Sequence, residues 1–186
     1  VLLAAFTSIE QAGAAVAAII ADGLLPAGLE LMDHAAIQAT EAFVNAGYPL
    51  DAAAILLCEL DGLPEQVSAD LQRLETILQK HQASEIRIAS DARERQRLWA
   101  GRKAAFPAVG RIASDYYCMD GTIPRKHLAS VLQQISALAT RYQLRVVNVF
   151  HAGDGNLHPL ILYDGSTPGE FDRAEKFGAA ILELCV

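Results

Sequence analysis

The stretch RVVNVFHAGDGNLHPLILY, Arg145–Tyr163, decides how the rest of the chain is read. Its two arms, RVVNVF and LHPLILY, are strand-like, and the residues between them favour a turn. Gly153 and Gly155 can take positive φ, and Asp154 and Asn156 tolerate it. With Gly153–Asn156 as the loop, Ala152 pairs with Leu157 and His151 with His158. Directly opposed side chains share one face, with Cβ atoms about 4.5–5.5 Å apart. Two imidazoles at that separation can converge on one divalent ion, and a one-residue change in the loop would shift the pairing. The same face would carry Val147, Val149, Leu160 and Leu162, an apolar wall ending in two histidines. Zinc and manganese both accept imidazole. Asp154 is the nearest further carboxylate, although its place at the turn also suits it to stabilising the loop. Paired histidines also occur as hydrogen-bonded hairpin residues, so these letters leave a site and a structural hairpin both open.

Working outward from the hairpin, VLLAAF at the N-terminal end reads as a strand, and Ser8 and Glu10 start an Ala-rich helix to about Ala21. Leu24–Met32 is an extended segment interrupted by Pro26; a helix follows over about Ala35–Asn45, with Gly47 as its stop. AAAILLCELDG is a buried strand ending in a turn. Pro64 opens an amphipathic helix with Val67, Leu71, Leu74 and Leu78 on one stripe, and EIRIAS alternates like an edge strand. The order is that of a ferredoxin-like unit with a helical insertion, its helices on one face of an antiparallel sheet.

A second unit starts at Asp91, where Asp91 and Glu94 have capping-box spacing. This helix carries Arg93, Arg95, Arg97, Arg102 and Lys103, and Pro107 is expected to end it. DYYCMDGTIP reads as a strand, Pro124 opens a helix with Leu128, Val131, Leu132, Ile135, Leu138 and Tyr142 on one side, and the hairpin and a final helix from about Pro168 follow. The expected fold class is α+β: antiparallel sheets with packed helices, in two ferredoxin-like subdomains at 1–90 and 91–186, the second truncated at its C-terminal end.

Composition narrows the function. A hydrophobic fraction of 52% supplies a substantial core, and a formal net charge of −7 without a basic run disfavours nucleic acid or an anionic membrane as partner. The apolar stretch Ala12–Leu31 is broken by Asp22, Gly23, Pro26 and Gly28 and cannot be a single membrane span. Cys58, Cys118 and Cys185 lie far apart in apolar surroundings, which suggests reduced, buried thiols in a cytoplasmic protein. The glycine-rich letters lack the terminal Glu of an EF-hand loop and the GxxxxGK[ST] of a phosphate loop; GDG can open a thiamine-diphosphate motif, but no Asn-Asn pair follows suitably.

HAGDGNLHPLILYD resembles the HxGDGNLH signature of FAD-linked 2-hydroxyacid dehydrogenases and oxidases, the vanillyl-alcohol-oxidase-like flavoproteins. WAGRKAAFPAVGRI and DYYCMDGTIPRKHL are similar to the segments before that signature in flavin subunits of the bacterial glycolate oxidase type, so the resemblance covers nearly the whole chain. It implies a C-terminal substrate (cap) domain of two ferredoxin-like subdomains, over an FAD held mainly by an N-terminal domain that these residues do not include. It also implies His151 and His158 as two ligands of a divalent metal such as zinc or manganese. The third ligand, a glutamate, and the neighbouring histidine base fall outside these residues, so no catalytic residue is assigned here and the metal site should be weak or empty.

Arg102, in Trp99-x-x-Arg102, matches an arginine that binds the substrate carboxylate. A guanidinium holds a carboxylate by two parallel hydrogen bonds. Solvation on an exposed helix face suits Arg93, Arg95 and Arg97 better. Members acting on 2-hydroxyglutarate carry a Thr and a Lys for the second carboxylate; here those positions are Phe106 and Cys118, which points to glycolate or D-lactate. Implied partners are the small 2-hydroxy acid and other oxidase subunits, including an iron-sulfur subunit, with no nucleic acid, no transmembrane segment, and any membrane association made through those subunits. The fragment alone is expected to be inactive. The competing reading is a non-catalytic ferredoxin-like module that binds a partner or effector; a third is a simple metal-binding protein, which would bind zinc tightly by itself.

Overall fold

The computed structural model describes residues 1–186. Its elements are β1 (Leu2–Phe6), α1 (Ile9–Ala21), β2 (Gly28–Asp33), α2 (His34–Val44), β3 (Ala54–Glu59), α3 (Pro64–Lys80), β4 (Glu85–Ile88), α4 (Ala92–Val109), β5 (Asp115–Cys118), β6 (Gly121–Thr122), α5 (Leu128–Tyr142), β7 (Arg145–His151), β8 (Asn156–Tyr163) and α6 (Glu170–Leu184). The chain is thus a mixture of helices and antiparallel strands. One sheet runs β4-β1-β3-β2-β7-β8-β5, with β6 also paired to β8. The first four strands have the 4-1-3-2 order of a ferredoxin-like unit. The order β5-β8-β7 repeats its 1-3-2 part, and β2 and β7 join the two halves edge to edge.

Local chemistry starts most helices where the letters suggest. Ser8 accepts from the Gln11 amide, and Asp91 from the Glu94 amide at 2.8 Å. The return bond of that second cap goes from the Ser90 amide to Glu94 Oε2, one residue before the expected position. Pro107 does not end α4. It lies in the last turn, where Gly110 N–H still reaches Phe106 O, and the helix runs to Val109. DYYCMDGTIP is two short strands, β5 and β6, separated by Met119–Asp120, although Met119 N–H still donates to Pro159 O on β8.

The helices do not all lie on one face. α1, α3, α5 and α6 pack against the face that carries Phe6, Leu31, Leu56 and Phe150, while α2 and α4 cover the face with Leu3, Met32, Ile55, Val149 and Leu160. The cause is legible in β1 and β3: residues of both parities are apolar and buried, so each face needs a cover. α4 packs on α2 rather than among the later helices, which sets Arg102 above the β2–β7 seam. Cysteines also differ from expectation. All three are free, but only Cys58 is buried, its thiol pushed up to about 12 by desolvation; Cys118 is exposed and Cys185 half-buried.

Candidate functional site: a carboxylate-linked Arg and His at the β2–β7 seam

The hairpin closes one residue earlier than its turn letters suggest. His151 pairs with Asn156 and Val149 with His158, so the loop is Ala152–Gly155. Asn156 joins the strand because Gly155, at φ 71, completes the turn, and a Cβ there would sit 2.2 Å from Ile123 O. The loop is fastened on both sides: Gly153 N–H donates to Leu29 O, and Ile123 N–H to Gly155 O.

His151 and His158 are consequently diagonal neighbours on one face, not directly opposed. Their ring centroids are 5.2 Å apart and nearly perpendicular. The face continues through Val149, Val147, Leu160 and Leu162, all buried under α2 and α4. Burial holds the His158 imidazole below its ordinary range; the Asp120 charge opposes this, and His151 and Arg102 add to it. Asp154 is exposed at the turn, and no three His, Cys, Asp or Glu side chains converge as a metal site.

The residue that organises the cluster is Glu30, which the sequence reading did not single out. Its side chain is 10% exposed on β2, directly across the ladder from His151. Oε1 lies 2.9 Å from His151 Nδ1, and Oε2 accepts from Arg102 Nε at 2.9 Å and lies 2.8 Å from its Nη2. Arg102 is itself buried, unlike the exposed Arg93, Arg95 and Arg97. Its side-on guanidinium edge is taken by Glu30, whereas Nη1 has no hydrogen-bond partner within the chain and is not among the sealed-off buried atoms. The available signal was Glu30's place as a lone charge in LLPAGLELM.

Gly101 lets α4 descend this far. A Cβ there would meet Tyr48 Oη at 2.4 Å and Ala46 Cβ at 2.6 Å, and Tyr48 Oη donates to Leu98 O at 2.5 Å. One turn after Arg102, Phe106 meets Tyr116 edge-to-face, with centroids 6.5 Å apart. Cys118 stands opposite Leu160 on β8. A cleft of about 280 Å³ opens beside Glu30 and His151, with Leu29, Arg125 and Asp154 also in its wall. Arg102 and His158 lie outside that lining.

The chain is thus an antiparallel sheet covered by helices on both faces, with a buried Arg and paired His at one seam. Residues 1–186 match the family described as FAD linked oxidases, C-terminal domain, and the chain belongs to that family. It is 62% identical over its whole length to the glycolate oxidase subunit GlcD of Escherichia coli K12, of which it spans 37%, and 34% identical to GlcD of Bacillus subtilis, spanning 39%. A mitochondrial D-lactate dehydrogenase [cytochrome] of Arabidopsis thaliana is 27% identical over 92% of the chain and 30% of that protein. Among solved structures, p-cresol methylhydroxylase superposes with a TM-score of 0.69 at 14% identity, over 98% of this chain and 42% of the other. Alkyldihydroxyacetonephosphate synthase gives 0.66 at 11%, over 99% and 38%. At those identities the superpositions speak for the fold alone. No helix is long and apolar enough to cross a membrane.

Proposed function

We propose that this chain is the substrate-facing domain of an FAD-dependent enzyme that oxidises a small 2-hydroxy acid, glycolate or D-lactate, to the 2-oxo acid. The observation that carries the reading is the free end of the Arg102 guanidinium beside His151 and His158, in a chain 62% identical to a glycolate oxidase subunit. Its two ferredoxin-like units, 1–90 and 91–186, would meet at the β2–β7 seam, where this cluster sits.

In this reading Arg102 binds the substrate carboxylate through its end-on edge, because Glu30 already fills the side-on edge. Phe106 and Cys118 themselves carry no cation for a second carboxylate, which favours a monocarboxylate. Bound FAD supplies the hydride acceptor. The proton-accepting base lies outside residues 1–186, and the 186-residue chain alone is inactive. An iron-sulfur subunit is the expected partner of the complete enzyme.

The donor set suits a divalent metal only in part. In the neutral ring a carboxylate at Nδ1 leaves His151 Nε2 as the lone-pair nitrogen, the arrangement common to metal-bound histidines, and His158 is held toward its neutral form. These two imidazoles would be the chain's ligands, a metal there would polarise the substrate hydroxyl, and a third ligand has to come from elsewhere.

The test is anaerobic flavin reduction in the full-length enzyme. Glycolate and D-lactate should bleach the flavin at least tenfold more efficiently, as the reduction rate constant divided by Kd, than D-2-hydroxyglutarate. Preference for the dicarboxylate, or no bleaching by either monocarboxylate, refutes the proposal.

A further inference from the structure

Glu30 is a buried acid in a strand whose flanking residues, Leu29 and Leu31, are buried and apolar. A buried ion pair contributes little net stability compared with packed apolar groups, so a Leu or Met at this position would serve the core at least as well. The carboxylate instead divides its oxygens between two groups distant in sequence: Oε2 to Arg102, 72 residues away, and Oε1 to His151, 121 residues away. Each bond fixes a different property. A carboxylate only accepts, so His151 carries a proton on Nδ1, and the neutral ring presents an unprotonated Nε2. The guanidinium is held at Nε and Nη2, which leaves Nη1 without a partner in the chain.

We infer that Glu30 is a positioning residue of the site, setting both the tautomer of His151 and the guanidinium edge that Arg102 offers to an anion. The inference deepens the substrate-site reading above and rests on it for the identity of the anion; the tautomer part does not. The fold supports the assignment independently, since Gly101 and the Tyr48–Leu98 bond bring α4 close enough for Arg102 to reach β2.

Two substitutions separate the two tasks. In Glu30→Gln the amide oxygen still accepts from Arg102, but its NH2 now faces His151, so Nδ1 must become the acceptor and the proton moves to Nε2. In Glu30→Ala both partners are released. The measurements are made on the FAD-loaded full-length enzyme: ring-nitrogen NMR shifts of ¹⁵N-labelled histidine after a chelator has removed any metal from Nε2 and at a pH where the ring is neutral, and steady-state kinetics with glycolate. Wild type should show His151 protonated at Nδ1. E30Q should show it protonated at Nε2, with kcat at least tenfold lower and KM within threefold. E30A should raise KM at least tenfold. Flavin content and melting temperature of E30Q near wild type confirm that it folds, and E30Q alone suffices if E30A does not. An Nδ1-protonated His151 in E30Q, or wild-type kcat in that variant, overturns the inference. A wild-type enzyme that oxidises no hydroxy acid would overturn the function proposed above, while the NMR arm would still decide the role of Glu30.

Discussion

Two carboxylates three residues apart on β2 have opposite fates. Glu30 meets a cation and an imidazole at the end of the β2–β7 seam. Asp33 meets only N–H donors: the Ala36 amide at 2.8 Å, as the N-cap of α2, and the backbone and side-chain nitrogens of Asn148 at 2.9 and 2.8 Å. Both are buried. Asp33 has a structural role, capping α2 and tying it to β7 where β2 gives way to helix. Its carboxyl is pushed up to about 6 by desolvation, which outweighs the Ala36 and Asn148 hydrogen bonds and the nearby His34. Burial by itself does not mark a functional acid; the charged, directional partners across the seam do.

The largest break in this comparison is Arg102→Ala. It strands the Glu30 carboxylate with His151 alone, and removal of one partner of a buried pair costs about 3–5 kcal/mol. Urea denaturation should show that loss together with loss of glycolate turnover; Arg102→Lys should recover more of the stability than of the turnover, since an ammonium lacks the fork. Next is Gly101→Ala, whose Cβ collides with the 46–48 segment and lifts α4, for about 1–3 kcal/mol and a raised KM. Asp33→Asn should have the clearest pH signature, on top of a loss of about 1–3 kcal/mol because the amide NH2 must face one of the N–H donors that the carboxylate satisfies. The folded value, about 6, lies above the unfolded reference of 3.8, so the protonated acid stabilises the fold fully below about 4, and that stability is lost as pH rises through about 6. Relative to D33N, wild type should therefore weaken between pH 4 and 6, by on the order of 1–3 kcal/mol at 1.36 kcal/mol per unit. A difference that stays flat across that window would mean Asp33 is ionised throughout.

Much of this was legible in the letters. The runs at β1 and β3, the amphipathic stripe of α3 and the two arms of the hairpin place the strands and the ferredoxin-like order. The second helical layer was also written there, since LLAAF and AILLC leave no polar parity to face water, but a one-sided sheet was expected from motif order. The histidines share a face in either register, so their convergence survived the one-residue shift that Gly155 imposes. Glu30 was the harder residue. A lone Glu in an apolar strand announces a buried charge, but its partners lie on α4 and β7, brought to it only by tertiary packing.

The central claim is that Glu30 leaves one edge of Arg102 for a substrate carboxylate. The most direct test is a crystal structure of the FAD-loaded enzyme with oxalate, a non-oxidisable stand-in for the hydroxy acid. The prediction is a carboxylate on the Nη1–Nη2 edge of Arg102, about 3 Å away, with Glu30 still on Nε and His151. Oxalate bound elsewhere with that edge filled by a group of the protein itself would contradict it.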